Sequence, residues 1–180
     1  MKTAYFWLTP QGKQLAEQLQ AHFGGTVEPK ADFAEAVRRA FADCDALVFV
    51  MATGIVVRTI APLVQSKASD PAVLVLDQRG KHVISLLSGH LGGANAMAEQ
   101  AAAYLGGEAV ITTATDVEHV PAFDLFAKEN HLTIENLEEL KYISGALVAG
   151  EPVSLCTAFP VEKNAFPETV QIQSFSETPP

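Results

Sequence analysis

The sequence predicts an α/β protein: a mixed, mostly parallel sheet with helices on both faces, followed by a second, smaller α/β unit. Three observations carry that expectation. ALVFVM (Ala46 to Met51) and AVLVLD (Ala72 to Asp77) are apolar runs without alternation, the pattern of strands buried on both faces of a parallel sheet. Around them, apolar residues recur at helical spacing. Beyond about Val117 the character changes to short elements, so residues 1–118 are expected to form the larger domain and 119–180 the smaller.

In chain order, AYFWL (Ala4 to Leu8) reads as the first strand. Thr9 and Pro10 suit the N-cap and first turn of a helix reaching His22, with Leu15, Ala16 and Leu19 on one face. Asp32 and Glu35 have the spacing of a capping box before a helix carrying Phe33, Val37, Ala40 and Phe41. Ala46 to Met51 is the next strand, and Pro62 must start or bend a helix in the segment opened by Thr53-Gly54. Ala72 to Asp77 follows Asp70-Pro71. A turn containing Gly80 then leads into HVISLL (His82 to Leu87), its antiparallel neighbour. The next helix sets Ala94, Met97, Ala98, Ala101 and Leu105 on one face and stops at Gly106-Gly107. AVIT (Ala109 to Thr112) is a short strand. In the second unit a helix runs from Pro121 to Asn130, LTIE is a strand, Asn136 caps a helix to about Ala149, and PVSLC and VQIQ are strands. SETPP resembles a linker or a chain end.

With 48% hydrophobic residues in 180, a sizeable core is available and disorder is not expected. No apolar run approaches the length of a membrane span and no charged-then-apolar leader follows Met1. Two distant cysteines, Cys44 and Cys156, suit reduced thiols in a cytoplasmic protein. A net charge of -9 argues against nucleic acid as the main partner. The charge is uneven: Gly54 to Ala98 holds Arg58, Lys67, Arg79 and Lys81 against Asp70 and Asp77, so it is +2 and the remainder -11. Such a segment suits an anionic ligand, or reflects ordinary scatter of surface charge.

Three polar loops leave apolar strands: Ala52-Thr53-Gly54, Ser88 to Gly93, and Thr112 to Asp116. Ligand loops of open α/β sheets gather beyond the carboxyl ends of the strands, so the three are expected along one sheet edge, around a common cleft. Ser88 to Gly93 sets three glycines, a serine and His90 before a helix whose first-turn N–H groups favour an anion or a developing oxyanion. The spacing matches neither G-x-G-x-x-G nor a P-loop, and Leu86 stands where a nucleophile elbow needs glycine. A tight turn packing helix on sheet explains the glycines as well. His90 suits a general acid or base, or a histidine bonded to backbone. Asn95 suits a ligand donor or a cap, Arg58 a carboxylate clamp or a solvated residue, and Asp116 an orienting carboxylate or a cap. His82 and His90 have no cysteine or carboxylate partner in motif, and no metal site is expected.

GIVVRTIAPLV, K..DPAVLVLD, G.HVISLLSGHLGGANAMA and VITTATD, in this order and spacing, closely resemble the cobalt-precorrin-5A hydrolase family of anaerobic cobalamin biosynthesis, called CbiG. LTPQGKQLAEQL is also similar to that family's start, and the resemblance covers most of Ala4 to Asp116, continuing weakly to about Leu155. It implies a hydrolase without a cofactor of its own, acting on a ring-contracted corrinoid precursor that brings the cobalt. Water opens a δ-lactone and the extruded carbon leaves as acetaldehyde. It also implies cobalamin-pathway enzymes or a separate C-terminal domain as partners, since members usually continue into such a domain. The candidate catalytic residues are then His90, Ser88 and Asp116. Candidate substrate contacts are Thr53, Gly54, Arg58, Lys67, Gly89, Gly92, Gly93, Asn95 and Thr113. Rival readings are a non-catalytic tetrapyrrole-binding module that presents the intermediate to a partner, and a nucleotide-binding domain. The missing phosphate fingerprint and acidic ribose partner disfavour the second.

Overall fold

The computed structural model describes residues 1–67, 69–161 and 166–174; the SETPP tail lies outside them. The chain divides into two compact units, Met1–Ile111 and Thr112–Pro180. The division falls earlier than position 118 because the Thr112 to Asp116 segment begins a helix that packs within the second unit.

The first unit runs β1 (Thr3–Trp7), α1 (Pro10–Phe23), β2 (Thr26–Val27), α2 (Phe33–Asp43), β3 (Ala46–Val50), α3 (Thr53–Ile60), β4 (Ala72–Leu76), β5 (His82–Leu87), α4 (Ala94–Leu105) and β6 (Glu108–Val110). Its sheet has the order β2-β1-β3-β4-β5-β6. β1 to β4 are parallel, β5 is antiparallel to β4, and β6 is parallel to β5. The last two strands therefore point against the first four.

β3 and β4 are buried along their whole length, as their unbroken apolar runs require. On one face Tyr5, Val48, Val50, Leu74 and Leu76 pack against Leu15, Ala16 and Leu19 of α1 and Ala94, Ala98 and Ala101 of α4. On the other, Phe6, Leu47, Phe49, Val73 and Val75 meet Ala36, Val37 and Ala40 of α2 with Val56 and Ile60 of α3. Phe6 stacks on Phe49 at 4.9 Å and takes Phe33 edge-on at 6.0 Å.

The helix ends show which local readings hold. Thr9 Oγ accepts from Gly12 N–H at 3.0 Å with Pro10 in the first turn, and Gly106 closes α4 at φ 66°. Asp32 departs from the capping box: it sits at φ 54° without a side-chain cap, and Glu35 instead takes Arg38 in two hydrogen bonds of 2.8 and 2.9 Å. The two-residue edge strand β2 has too little pattern to be read in advance.

The second unit contains α5 (Ala114–Val117), α6 (Phe123–Glu129), α7 (Leu140–Val148), β7 (Val153–Thr157) and β8 (Val170–Ser174), with β7 and β8 parallel. LTIE is not a strand: Leu132 is 58% exposed and none of the four residues is buried, so Thr133 and Ile134, which favour strands, have no buried face to pack.

Candidate functional site

Strand direction divides the predicted site. Thr53 and Gly54 follow the carboxyl end of β3, whereas β5 runs the other way and delivers Ser88 beside the amino end of β4, with Leu87 opposite Val73. The glycine loop and Thr53-Gly54 thus stand at opposite edges of the sheet. Five residues at about 3.3 Å each put roughly 16 Å between those edges. The shared-edge expectation is overturned, because it required β5 to be parallel to β3.

At the loop edge, the polar groups bond among themselves. Gly93 N–H donates to His90 O at 2.9 Å, Ala94 N–H to Ser88 O at 3.1 Å, and Asn95 N–H to Gly89 O at 3.0 Å. Two N–H groups of the first turn of α4 are therefore occupied by the loop's own carbonyls, which removes them from the expected oxyanion site. A Cβ on Gly92 would stand 2.4 Å from Ser88 Cβ, and one on Gly89 2.7 Å from Asn95 Oδ1. Positive φ falls on Gly93 and, at 59°, on Ser88. Ser88 Oγ donates to Asp70 O at 2.9 Å, and the Asp70 carboxylate receives Gln65 N–H at 2.9 Å and Ser66 N–H at 3.0 Å. Asn95 is buried and accepts from Ser85 Oγ at 2.6 Å. His90 is half-buried in this loop, and Lys67 is exposed in the α3–β4 connection at the same edge.

At the other edge a cavity of about 570 Å³ opens beyond the carboxyl ends of β1, β3 and β4. Leu8 and Thr9 line it after β1, Met51 and Thr53 after β3, and Asp77 and Gln78 after β4; Ile55, His82 and Ile84 complete the wall. Thr9 Oγ donates to Gln78 Oε1 at 3.3 Å. The Asp77 carboxylate accepts Arg79 N–H at 2.9 Å and His82 N–H at 2.7 Å, with His82 Nδ1 at 3.4 Å. Partial burial alone would push the Asp77 pKa up; the hydrogen bonds from His82 and Arg79 outweigh it and hold the carboxyl below its ordinary value. Arg79 and Lys81 belong to the turn beside it, and Arg58 folds back along α3 to donate to Gly54 O at 2.6 Å. The basic segment is thereby split: Arg58, Arg79 and Lys81 stand toward the crevice edge, Lys67 at the loop edge.

Thr113 and Asp116 belong to the second unit. Thr113 precedes α5 without a side-chain cap, its carbonyl accepting from Asp116 N–H at 3.1 Å, and both residues are half-buried. Sequence reasoning missed the Asp77–His82 pair. Its signal was an aspartate and a histidine flanking a glycine turn between antiparallel strands, which brings the two ends of the turn together. Among the described residues no group of three or more His, Cys, Asp or Glu side chains is placed to hold a metal ion.

Residues 35–116 match the family described as cobalamin synthesis G N-terminal, and residues 121–179 match the one described as cobalamin biosynthesis central region. The chain is 44% identical over 165 residues to a cobalt-precorrin-5A hydrolase of Salmonella typhimurium, an overlap covering 84% of this chain and 47% of that protein. It is 42% identical over 109 residues to the enzyme of that name from Priestia megaterium, covering 61% and 29% respectively. A solved cobalamin biosynthesis protein G homolog from Sulfolobus solfataricus superposes with a TM-score of 0.56 at 26% identity, covering 99% of this chain and 57% of that one. The chain spans less than half the length of these two curated relatives. Two family regions in succession, together with relatives above 40% identity, make this chain a member of the CbiG family of cobalamin biosynthesis proteins.

Proposed function

We propose that the chain acts in the hydrolysis of cobalt-precorrin-5A, opening its δ-lactone and releasing acetaldehyde. The observation that carries this reading is the 44% identity to a cobalt-precorrin-5A hydrolase over 84% of the chain. The cobalt arrives with the corrinoid, and the protein brings no cofactor of its own. The remaining part of the longer relatives is the expected partner, whether fused or separate, in the cytoplasm. No helix among the described residues is long and apolar enough to cross a membrane.

The chemistry makes two demands. Water must add to the acyl carbon as the ester bond breaks, and the liberated alcohol must lose its proton so that the carbon–carbon bond can cleave. His90 and Ser88 are the catalytic candidates of the loop reading, with Lys67, Gly89, Gly92, Gly93 and Asn95 as contacts, and the second unit adds Asp116 and Thr113 as candidates of its own. Thr53, Gly54 and Arg58 belong to the opposite edge. Because about 16 Å separates the edges, one lactone meets one group or the other. Ser88 Oγ already donates to Asp70 O, which leaves His90 as the loop's proton carrier.

The test is acetaldehyde release from cobalt-precorrin-5A by residues 1–180, alone and fused to the part of the Salmonella enzyme that this chain does not match. Release by the fusion supports the hydrolase reading. Corrinoid binding without release by either form supports the non-catalytic presenting module.

A further inference from the structure

We infer that the crevice edge of the sheet receives the reacting corner of the corrinoid, and that His82, oriented by Asp77, carries its protons. This rests on the hydrolase reading above and names the residue that would do the acid–base work. The first support is topological. From β1 the chain moves to one side of the sheet through α1 to β2, and from β3 it moves to the other, so the connections after β1 and β3 diverge. Open α/β sheets bind ligands in the crevice left at that reversal, outside the carboxyl ends of the strands. The cavity lies there, with Leu8 and Thr9 on one side and Met51 and Thr53 on the other.

The second support is chemical. The wall is mostly apolar and carries a few polar groups, the composition of a small-molecule site. Arg79 N–H and His82 N–H fix the Asp77 carboxylate, which lies 3.4 Å from His82 Nδ1. A proton on Nδ1, assigned from that contact, leaves Nε2 as the acceptor. Arg58, Arg79 and Lys81 stand toward this edge, where a macrocycle fringed with carboxylates would meet them.

The step balances with His82 alone. Water attacks the acyl carbon and gives a proton to Nε2; the ester carbon–oxygen bond breaks, and the leaving oxygen takes that proton. The new alcohol then returns a proton to Nε2. Its carbon–carbon bond breaks with the electron pair going to the macrocycle, acetaldehyde departs, and the macrocycle takes the proton back. Water is the only co-reactant, and His82 ends neutral.

The experiment uses the fusion described above, with His82→Gln, Asp77→Asn and His90→Ala each compared with wild type. His82→Gln is expected to lower kcat about 10²- to 10⁴-fold, the usual share of a general acid–base group. Asp77→Asn is expected to lower kcat less, leave KM unchanged, and move the His82 imidazole resonance in an NMR titration, which a merely structural role would not do. If His82→Gln keeps more than half of wild-type turnover, or if the large loss falls on His90→Ala instead, the inference is overturned while the hydrolase reading stands. If wild-type fusion releases no acetaldehyde, the hydrolase reading fails. The crevice is then judged by absorbance titration of residues 1–180 with cobyrinic acid, where Ile55→Glu, which sets a carboxylate in the wall against a polycarboxylate ligand, should weaken binding at least about tenfold. Unchanged affinity in Ile55→Glu overturns the crevice.

Discussion

The two edges of the first unit's sheet treat their polar groups differently. At the loop edge Ser88, Asp70, Ser85 and Asn95 are committed to one another or to backbone, and Gly89 and Gly92 leave no room for a methyl group. At the crevice edge Thr9, Asp77, Gln78 and His82 bond locally too, yet they line a cavity. A loop that is satisfied internally is a brace between β4, β5 and the start of α4. Groups that are fixed and still border open space can serve a ligand. The contrast teaches that a glycine-rich string before a helix is, at this position, first a packing solution.

The largest expected effect tests the brace. Gly92→Val would drive its Cβ into Ser88, where backbone as well as side chain is in the way, and should cost on the order of 3 kcal/mol or more. Urea denaturation of residues 1–180 measures it. Gly93→Ala should cost only about 1–2 kcal/mol, because space is open there and only the φ of 86° is resisted. At the crevice edge Thr53→Val, with no side-chain cap to lose, should stay within about 0.5 kcal/mol. A Gly92→Val protein as stable as wild type would sink the brace and reopen the loop as a binding cradle.

Asn95→Ala should follow at about 1–3 kcal/mol, since it removes the acceptor for Ser85 Oγ in a buried place. Ser85→Ala together with Asn95→Ala should cost less than the sum of the two single changes. Strict additivity in that double-mutant cycle would mean that the 2.6 Å contact carries no coupling.

Much of the fold was legible because burial on both faces leaves a plain trace: ALVFV and AVLVL are β3 and β4, and Thr9-Pro10 and Gly106 mark helix ends by local geometry. HVISLL was legible even as the antiparallel neighbour of β4. That reading already carries Ser88 to the far edge, yet the strand patterns alone invite the parallel rule for every loop. Side-chain alternation fixes which face a residue takes, and only the connection fixes which end of the sheet it reaches. The Asp32–Glu35 pair misled for a related reason: the spacing is right, but Arg38 one turn on offers Glu35 a bidentate partner that the N-cap cannot match. Asp77 was hidden as the last residue of an apolar run, its partner His82 lying across the turn.

A charge comparison comes next in size. Arg79→Ala with Lys81→Ala should weaken cobyrinic acid binding several-fold at low salt and flatten its salt dependence, whereas Lys67→Ala, at the loop edge, should change affinity less than twofold. Exposed charges of this kind contribute about 0.2–1 kcal/mol each, and their effect fades once the screening length shortens. Equal losses from both sets would mean that the corrinoid samples both edges.

The smallest effect is the acid response of the crevice. Hydrogen bonds from His82 and Arg79 stabilise the charged form of Asp77 and hold its folded pKa below the unfolded value. A group depressed in this way contributes stability that is present above its unfolded pKa and is lost as pH falls through the folded one. Asp77→Asn keeps an oxygen to accept the turn's N–H groups but carries no charge, so its stability should not depend on that titration. Thermal melts from neutral pH into the acid range should therefore show wild type slightly more stable near neutrality, with the difference closing below the usual carboxylate range. The Asp77 side chain is 39% exposed, so solvent screens the interaction and the shift in Tm should be small. A difference that stays constant across that range would mean the turn binds the carboxyl group without preferring its ionised form, and Asp77 would lose its claim to orient the His82 ring.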